Sequence, residues 1–144
     1  MYRGRFLEVL GTGVGAAASG CHGLTGTRRE PYLEAVTVRN LDTADHEFGL
    51  AVERAGSVVH EETIELAGSG TDQSQTSVAC DWSGRGPFVV TCTLNDGETE
   101  RVRVDRSSDD IDQGQGAYAQ VTFTTTDTGA LGSSGYLDDG GREC

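Results

Sequence analysis

The stretch His46-Glu-Phe-Gly-Leu-Ala-Val-Glu-Arg54 puts Phe48, Leu50 and Val52 on one side of the chain and Glu47 and Glu53 on the other. A period of two belongs to a pleated strand with one buried face, and no amphipathic helix produces it. The same alternation recurs before and after it. Val36 and Val38 share a face in Ala35–Asn40, Thr76, Val78 and Cys80 in Ser74–Cys80, and Val102 and Val104 in Glu98–Asp105. Phe88–Leu94 is nearly continuous in apolar and β-branched residues, with Phe88, Val90, Cys92 and Leu94 aligned, which suits an interior strand. In Ala117–Thr126 the aligned residues are Ala119, Val121 and Phe123. Ser57–Leu66 is less regular: Ile64 and Leu66 share a parity that Val59 lacks, so a bulge near Glu61-Glu62 is expected to bring the three onto a common face.

Turn chemistry separates these runs. Asn40–Asp45, Ala55-Gly56, Ala67–Gln73, Asp81–Pro87 and Asn95-Asp96-Gly97 are rich in residues that reverse a chain, and Asn95-Asp96-Gly97 supplies the left-handed conformations of a tight hairpin. About seven short strands with no convincing helix predict an all-β protein, an antiparallel sandwich. Its expected extent is residues 33–126. Residues 127–144, with only Leu131, Tyr136 and Leu137 to bury among glycine, serine and aspartate, are expected to form a flexible acidic tail.

Charge restricts the partners. All eleven basic residues are arginine, and 23 acidic residues leave a formal net charge of -12. Such a surface repels nucleic acid and anionic lipid heads, so no nucleic-acid partner is expected. Acidic excess without lysine resembles the proteomes of salt-loving archaea, where molar salt shortens the Debye length to about 3 Å and mutes repulsion among carboxylates.

The first 21 residues have the layout of an export signal: a short basic head, a mildly apolar middle from Phe6 to Ala18, and small residues ending at Cys21. Interrupted by Glu8 and several glycines, the middle falls short of the roughly 20 apolar residues of a spanning helix. Arg3-Gly-Arg5-Phe6-Leu7 resembles a twin-arginine signal with Gly4 in the place of the second arginine. Ala18-Ser-Gly-Cys21 resembles a lipobox, which implies cleavage before Cys21 and a lipid on its thiol. Residues 1–20 are thus expected to be the signal and residues 21–32 a tether, placing the domain on the outer face of the cell membrane.

Gly86-Pro-Phe-Val-Val-Thr-Cys-Thr-Leu-Asn-Asp-Gly97, with Val36–Asn40 and Glu62–Leu66, is similar to the strands of immunoglobulin-like repeats on microbial surfaces. Over residues 33–105 the chain resembles small immunoglobulin-like lipoproteins of haloarchaea. The resemblance implies an immunoglobulin-like sandwich and brings no catalytic residues or cofactor.

The remaining chemistry is sparse. With Cys21 lipidated, Cys80, Cys92 and Cys144 are left, an odd number for an oxidising exterior. A Cys80–Cys92 bridge between neighbouring strands is the first expectation, a bridge from either to Cys144 the second, and free thiols the third. His22, His46 and His60 lack the cysteine and methionine partners of a blue-copper site and the closely spaced cysteines of a zinc site, so they are expected to face solvent with no metal role. Asp109–Gly114 and Asp138-Asp139 depart from a calcium loop, with Gly114 and Val121 where acids belong, and read as ordinary acidic loops. No nucleophile elbow is present. The expectation is a non-catalytic surface module that binds a surface protein or glycan or plays a structural accessory part. The alternative is a metal- or redox-active extracytoplasmic protein using Cys80, Cys92 and Cys144.

Overall fold

A computed structural model describes residues 29–144. They form eight strands: β1 Tyr32–Asn40, β2 His46–Arg54, β3 Ser57–Leu66, β4 Gln75–Ala79, β5 Phe88–Leu94, β6 Thr99–Val104, β7 Tyr118–Thr125 and β8 Leu131–Asp138. Two four-stranded sheets, ordered β4-β1-β7-β8 and β3-β2-β5-β6, pack face to face as the expected β-sandwich. Every pairing is antiparallel except β1 with β7. The path of β1 to β6 follows the immunoglobulin strands B, C, C′, E, F and G, with β1 beside β4 in one sheet and β2 between β3 and β5 in the other. β7 lies on the other flank of β1, running parallel to it.

The alternation predicted for β2, β5 and β7 is realised. Phe48, Leu50 and Val52 face Phe88, Val90, Cys92 and Leu94 along one sheet, and Ala119, Val121 and Phe123 line the other; all are buried. β1 begins earlier than Ala35 because Glu34 is a bulge: Leu33 pairs with Ala119 and Ala35 with Gln120, so Leu33 and Val36 both turn inward despite their odd spacing. The β2–β3 bulge lies elsewhere than expected. Val52 opposes His60 and Glu53 opposes Val58, making Val59 the extra residue. Val59 therefore stays 39% exposed, and the inward row of β3 is His60, Glu62, Ile64 and Leu66. The distortion sits beside the Ala55-Gly56 turn, whose two left-handed residues (φ 50° and 89°) reverse the chain.

Residues 127–144 are not a loose tail. β8 pairs with β7 from Leu131 to Asp138 and buries Leu131 and Leu137. Its outer edge is covered by the acidic loop after β6, where Asp112 N–H donates to Gly135 O (2.8 Å) and Leu137 N–H donates to Asp112 O (3.1 Å). Ile111 packs directly over Gly135, leaving no room for a side chain there.

At one end of the sandwich the buried amide of Asn40 joins both sheets. Its Nδ2 donates to Ala44 O (2.8 Å) and Ala67 O (2.9 Å), and its Oδ1 accepts from Asp42 N–H (3.0 Å) and the Thr125 hydroxyl (2.7 Å). All four valences of the amide are used. The two long sides of the sandwich differ. Between β6 and β8, Glu98 accepts from Leu131 N–H (3.4 Å) and Glu100 from the Ser133 hydroxyl (3.1 Å). Between β3 and β4 a groove stays open.

Asn40→Leu is expected to lower the unfolding free energy by about 3 kcal/mol, because it strands buried partners in both sheets. Thr37→Val, at an exposed hydroxyl pair with Ser77, is expected to change it by less than about 0.5 kcal/mol. Denaturant unfolding measures both, as a shift of the midpoint at constant slope.

Candidate functional site

The open groove, about 590 Å³, runs between residues 62–66 of β3 and residues 76–79 of β4 and ends at Asp81. Both strands are sheet edges, so their backbones are unpaired on this side. Glu62 reaches it because it continues the inward row beyond Ile64, past the point where the two sheets cover each other.

Three consecutive residues shape the end of the groove. Cys80 takes a left-handed conformation (φ 58°) and is bonded to Cys144, with Cα atoms 5.0 Å apart. Asp81 projects outward, and Trp82 turns back into the core, its indole N–H donating to Leu33 O at 2.6 Å. The Trp82 and His60 rings meet in a T-shape, with centroids 5.7 Å apart. His60 Nε2 lies 2.7 Å from Glu62 Oε1, and Nδ1 lies 3.8 Å from Asp81 Oδ2.

The expected Cys80–Cys92 bridge is not formed. Cys80 sits just past β4 in one sheet, whereas Cys92 points into the core from the middle of β5 in the other, and the final turn of the chain brings Cys144 to Cys80 instead. Burial pushes the Cys92 thiol up to about 12, so it is neither a nucleophile nor a ready metal ligand. The three cysteines are thus not brought together in the way the metal or redox reading requires. Cys21, the signal residues Arg3, Arg5, Phe6 and Leu7, and His22 lie outside the described residues.

His46 and His60 do not face solvent freely; each has only part of its side chain exposed. Asn95 Oδ1 accepts from Glu47 N–H (2.9 Å), which fixes its Nδ2 as donor to His46 Nδ1 (2.7 Å). The ring proton is therefore on Nε2, donated to Asp42 at 2.7 Å. With both nitrogens engaged, His46 locks the β1–β2 turn against the β5–β6 turn. The hydrogen bond from His46, joined by backbone N–H groups of Thr43 and Ala44, holds the Asp42 carboxyl below its usual 3.8 against the opposing effect of burial.

Two carboxylates after β6, those of Asp105 and Asp110, are engaged internally. Asp105 accepts from the backbone and hydroxyl of Ser107 (both 2.8 Å) and from Arg103 (3.2 Å), and Asp110 accepts from Arg103 N–H (2.8 Å). Burial raises the Asp105 pKa, but these hydrogen bonds together outweigh it and leave the group below 3.8.

The groove-end cluster was missed in the sequence for two reasons. Strict alternation from Leu66 back to His60 puts His60 and Glu62 on the inward face, whereas the bulge expected at Glu61-Glu62 assigns that place to Val59. Asp81, just past β4 in the other sheet, is brought close only by the packing of the two sheets.

Two outcomes test this geometry. Non-reducing peptide mapping is expected to recover a Cys80–Cys144 crosslink, with Cys92 alkylated only on unfolding, and Cys144→Ser should cost about 4 kcal/mol in the chain-entropy estimate for a loop of this length. Asp42→Asn should lower stability at neutral pH. Because the folded carboxyl is depressed, the Asp42 contribution is complete above its usual 3.8 and vanishes as pH falls through the lower folded value, so variant and wild-type midpoints should converge in acid. Comparison of the chain with protein-family models, curated proteins and solved structures finds no match.

Proposed function

We propose that the protein is an exported, lipid-anchored, non-catalytic immunoglobulin-like module that serves at the outer face of the cell membrane as a binding or structural accessory. The observation that carries this reading is the Cys80–Cys144 disulfide, a bond that persists in oxidising compartments and is rare in the cytosol. It agrees with the lipobox-like Ala18–Cys21 and with the short glycine-containing composition of the sequence from Cys21 to Glu30, which suits a tether.

A partner surface is offered by the outer face of β2, β3 and β5. Gly49 and Ala51 in β2 leave a shallow depression of about 510 Å³, bordered by the hydroxyls of Thr63, Thr91 and Thr93 and by the carboxylates of Glu61, Glu62 and Asp96. Hydroxyls and carboxylates around a shallow floor suit hydrogen bonding to the hydroxyls of a glycan or to a polar protein surface. The net charge of -12 fits a saline exterior in which carboxylate repulsion is screened.

Mass spectrometry of the protein recovered from membranes tests the anchored reading. The expected species begins at a lipid-modified Cys21 and carries one disulfide, and Cys21→Ser should shift the protein out of the membrane fraction. A chain retaining Met1 and found wholly in the cytosol would overturn it. The thermal midpoint should also climb as salt rises from millimolar to molar.

A further inference from the structure

We propose that His60, Glu62 and Asp81 form a site for a first-row divalent cation such as Zn²⁺ or Cu²⁺ at the end of the β3–β4 groove. The proposal goes beyond the anchored-module reading and does not depend on it. One donor atom from each of the three residues lies within 4.8 Å of the other two.

The tautomer of His60 gives the cluster its direction. Glu62 at 2.7 Å can only accept, so Nε2 carries the proton of the neutral ring, and the Nδ1 lone pair faces Asp81 Oδ2 at 3.8 Å. Two acceptors face each other across a gap too wide for a direct hydrogen bond. A cation bonded to nitrogen and oxygen at about 2.0–2.2 Å spans such a gap with an open bond angle. Glu62 then plays the part of the carboxylate that fixes the tautomer of a metal-binding imidazole and raises its basicity from the far side of the ring. An imidazole nitrogen with a carboxylate oxygen and solvent is a donor set for borderline cations rather than for calcium.

The surroundings hold these donors in place. Trp82, itself anchored to Leu33 O, packs in a T-shape against the His60 ring, and the Cys80–Cys144 bond fixes the backbone on the other side of Asp81. Asp81 is 57% exposed at its side chain, so solvent can complete the coordination shell. The two carboxylates match the charge of the ion. Because β3 and β4 belong to different sheets, a bound ion ties together the two free edges of the sandwich.

Trp82, the sole tryptophan, is a built-in reporter beside His60. In the full chain carrying Cys21→Ser, to remove a competing thiol, Cu²⁺ added over excess Ca²⁺ is expected to quench Trp82 fluorescence with a break at one ion per chain. His60→Gln and Asp81→Asn should raise the Cu²⁺ needed for half-quenching at least tenfold while near-ultraviolet dichroism stays native, and His46→Gln should not. In the His22→Gln, His46→Gln double variant, His60 is the sole imidazole, and pulsed electron paramagnetic resonance should show its remote ring nitrogen coupled to Cu²⁺. A Cu²⁺ spectrum without that coupling overturns the proposal however the other variants fold. So does a quenching break that survives His60→Gln or disappears under excess Ca²⁺.

Discussion

The amide of Asn40 is the junction on which the sandwich depends. It is fully buried, so each of its donors and acceptors must find a protein partner or cost about 1–3 kcal/mol. Its partners come from both sheets and from the turn between β1 and β2: Thr125 at the end of β7, Ala67 just past β3, and Asp42 and Ala44 in the turn. The crossing from one sheet to the other is therefore set by hydrogen bonds with direction, where apolar packing alone would tolerate sliding. That crossing puts Asp42 within reach of His46, and His46 in turn reaches Asn95 in the β5–β6 turn. The end of the molecule around Asn40 is thus knitted through side chains, and the core rows begin from a fixed register.

The opposite end is held differently. There Trp82 anchors to Leu33, Arg85 lies over the Tyr32 ring at 4.4 Å, and the disulfide ties the last residue of the chain to the end of β4. One long side is closed by the carboxylates of Glu98 and Glu100 acting across β6 and β8. These constraints leave the β3–β4 side as the stretch where two strand edges meet without a seal. The groove that lies there follows from the closure of the other three sides.

Strands whose two faces differ in polarity were legible before the structure. β2 and β5 fall at the predicted residues because every inward position is apolar and nothing interrupts the period. Where a bulge intervenes the period misleads: Glu34 hid the first turn inward of β1, and Val59 took the place of His60 in the reading of β3. β8 was illegible for another reason. Glycine, serine and aspartate have little intrinsic preference for strands, and the segment is a strand because β7 offers a complete ladder and Ile111 needs the bare backbone of Gly135. The groove-end cluster divides the same way, since His60 and Glu62 share a face by simple alternation while Asp81 joins them only through tertiary structure.

The position of the disulfide follows from where the fold is weakest. Cys92 occupies the strand that in antibody domains carries one half of an inter-sheet bridge, and here hydrophobic packing already holds that strand on both sides. A Cys80–Cys92 bond would have closed a loop of about twelve residues and, in the chain-entropy view, contributed about 3 kcal/mol to a region with little need of it. The bond to Cys144 spans 64 residues and encloses β5 to β8. Its larger entropic effect falls on β8, whose side chains bury little beyond Leu131 and Leu137. A Gly- and Ser-rich strand can then remain in the sheet because its far end is covalently fixed, and the same bond holds the backbone of Asp81 at the mouth of the groove. Stability and site geometry at this end of the molecule therefore rest on one covalent link.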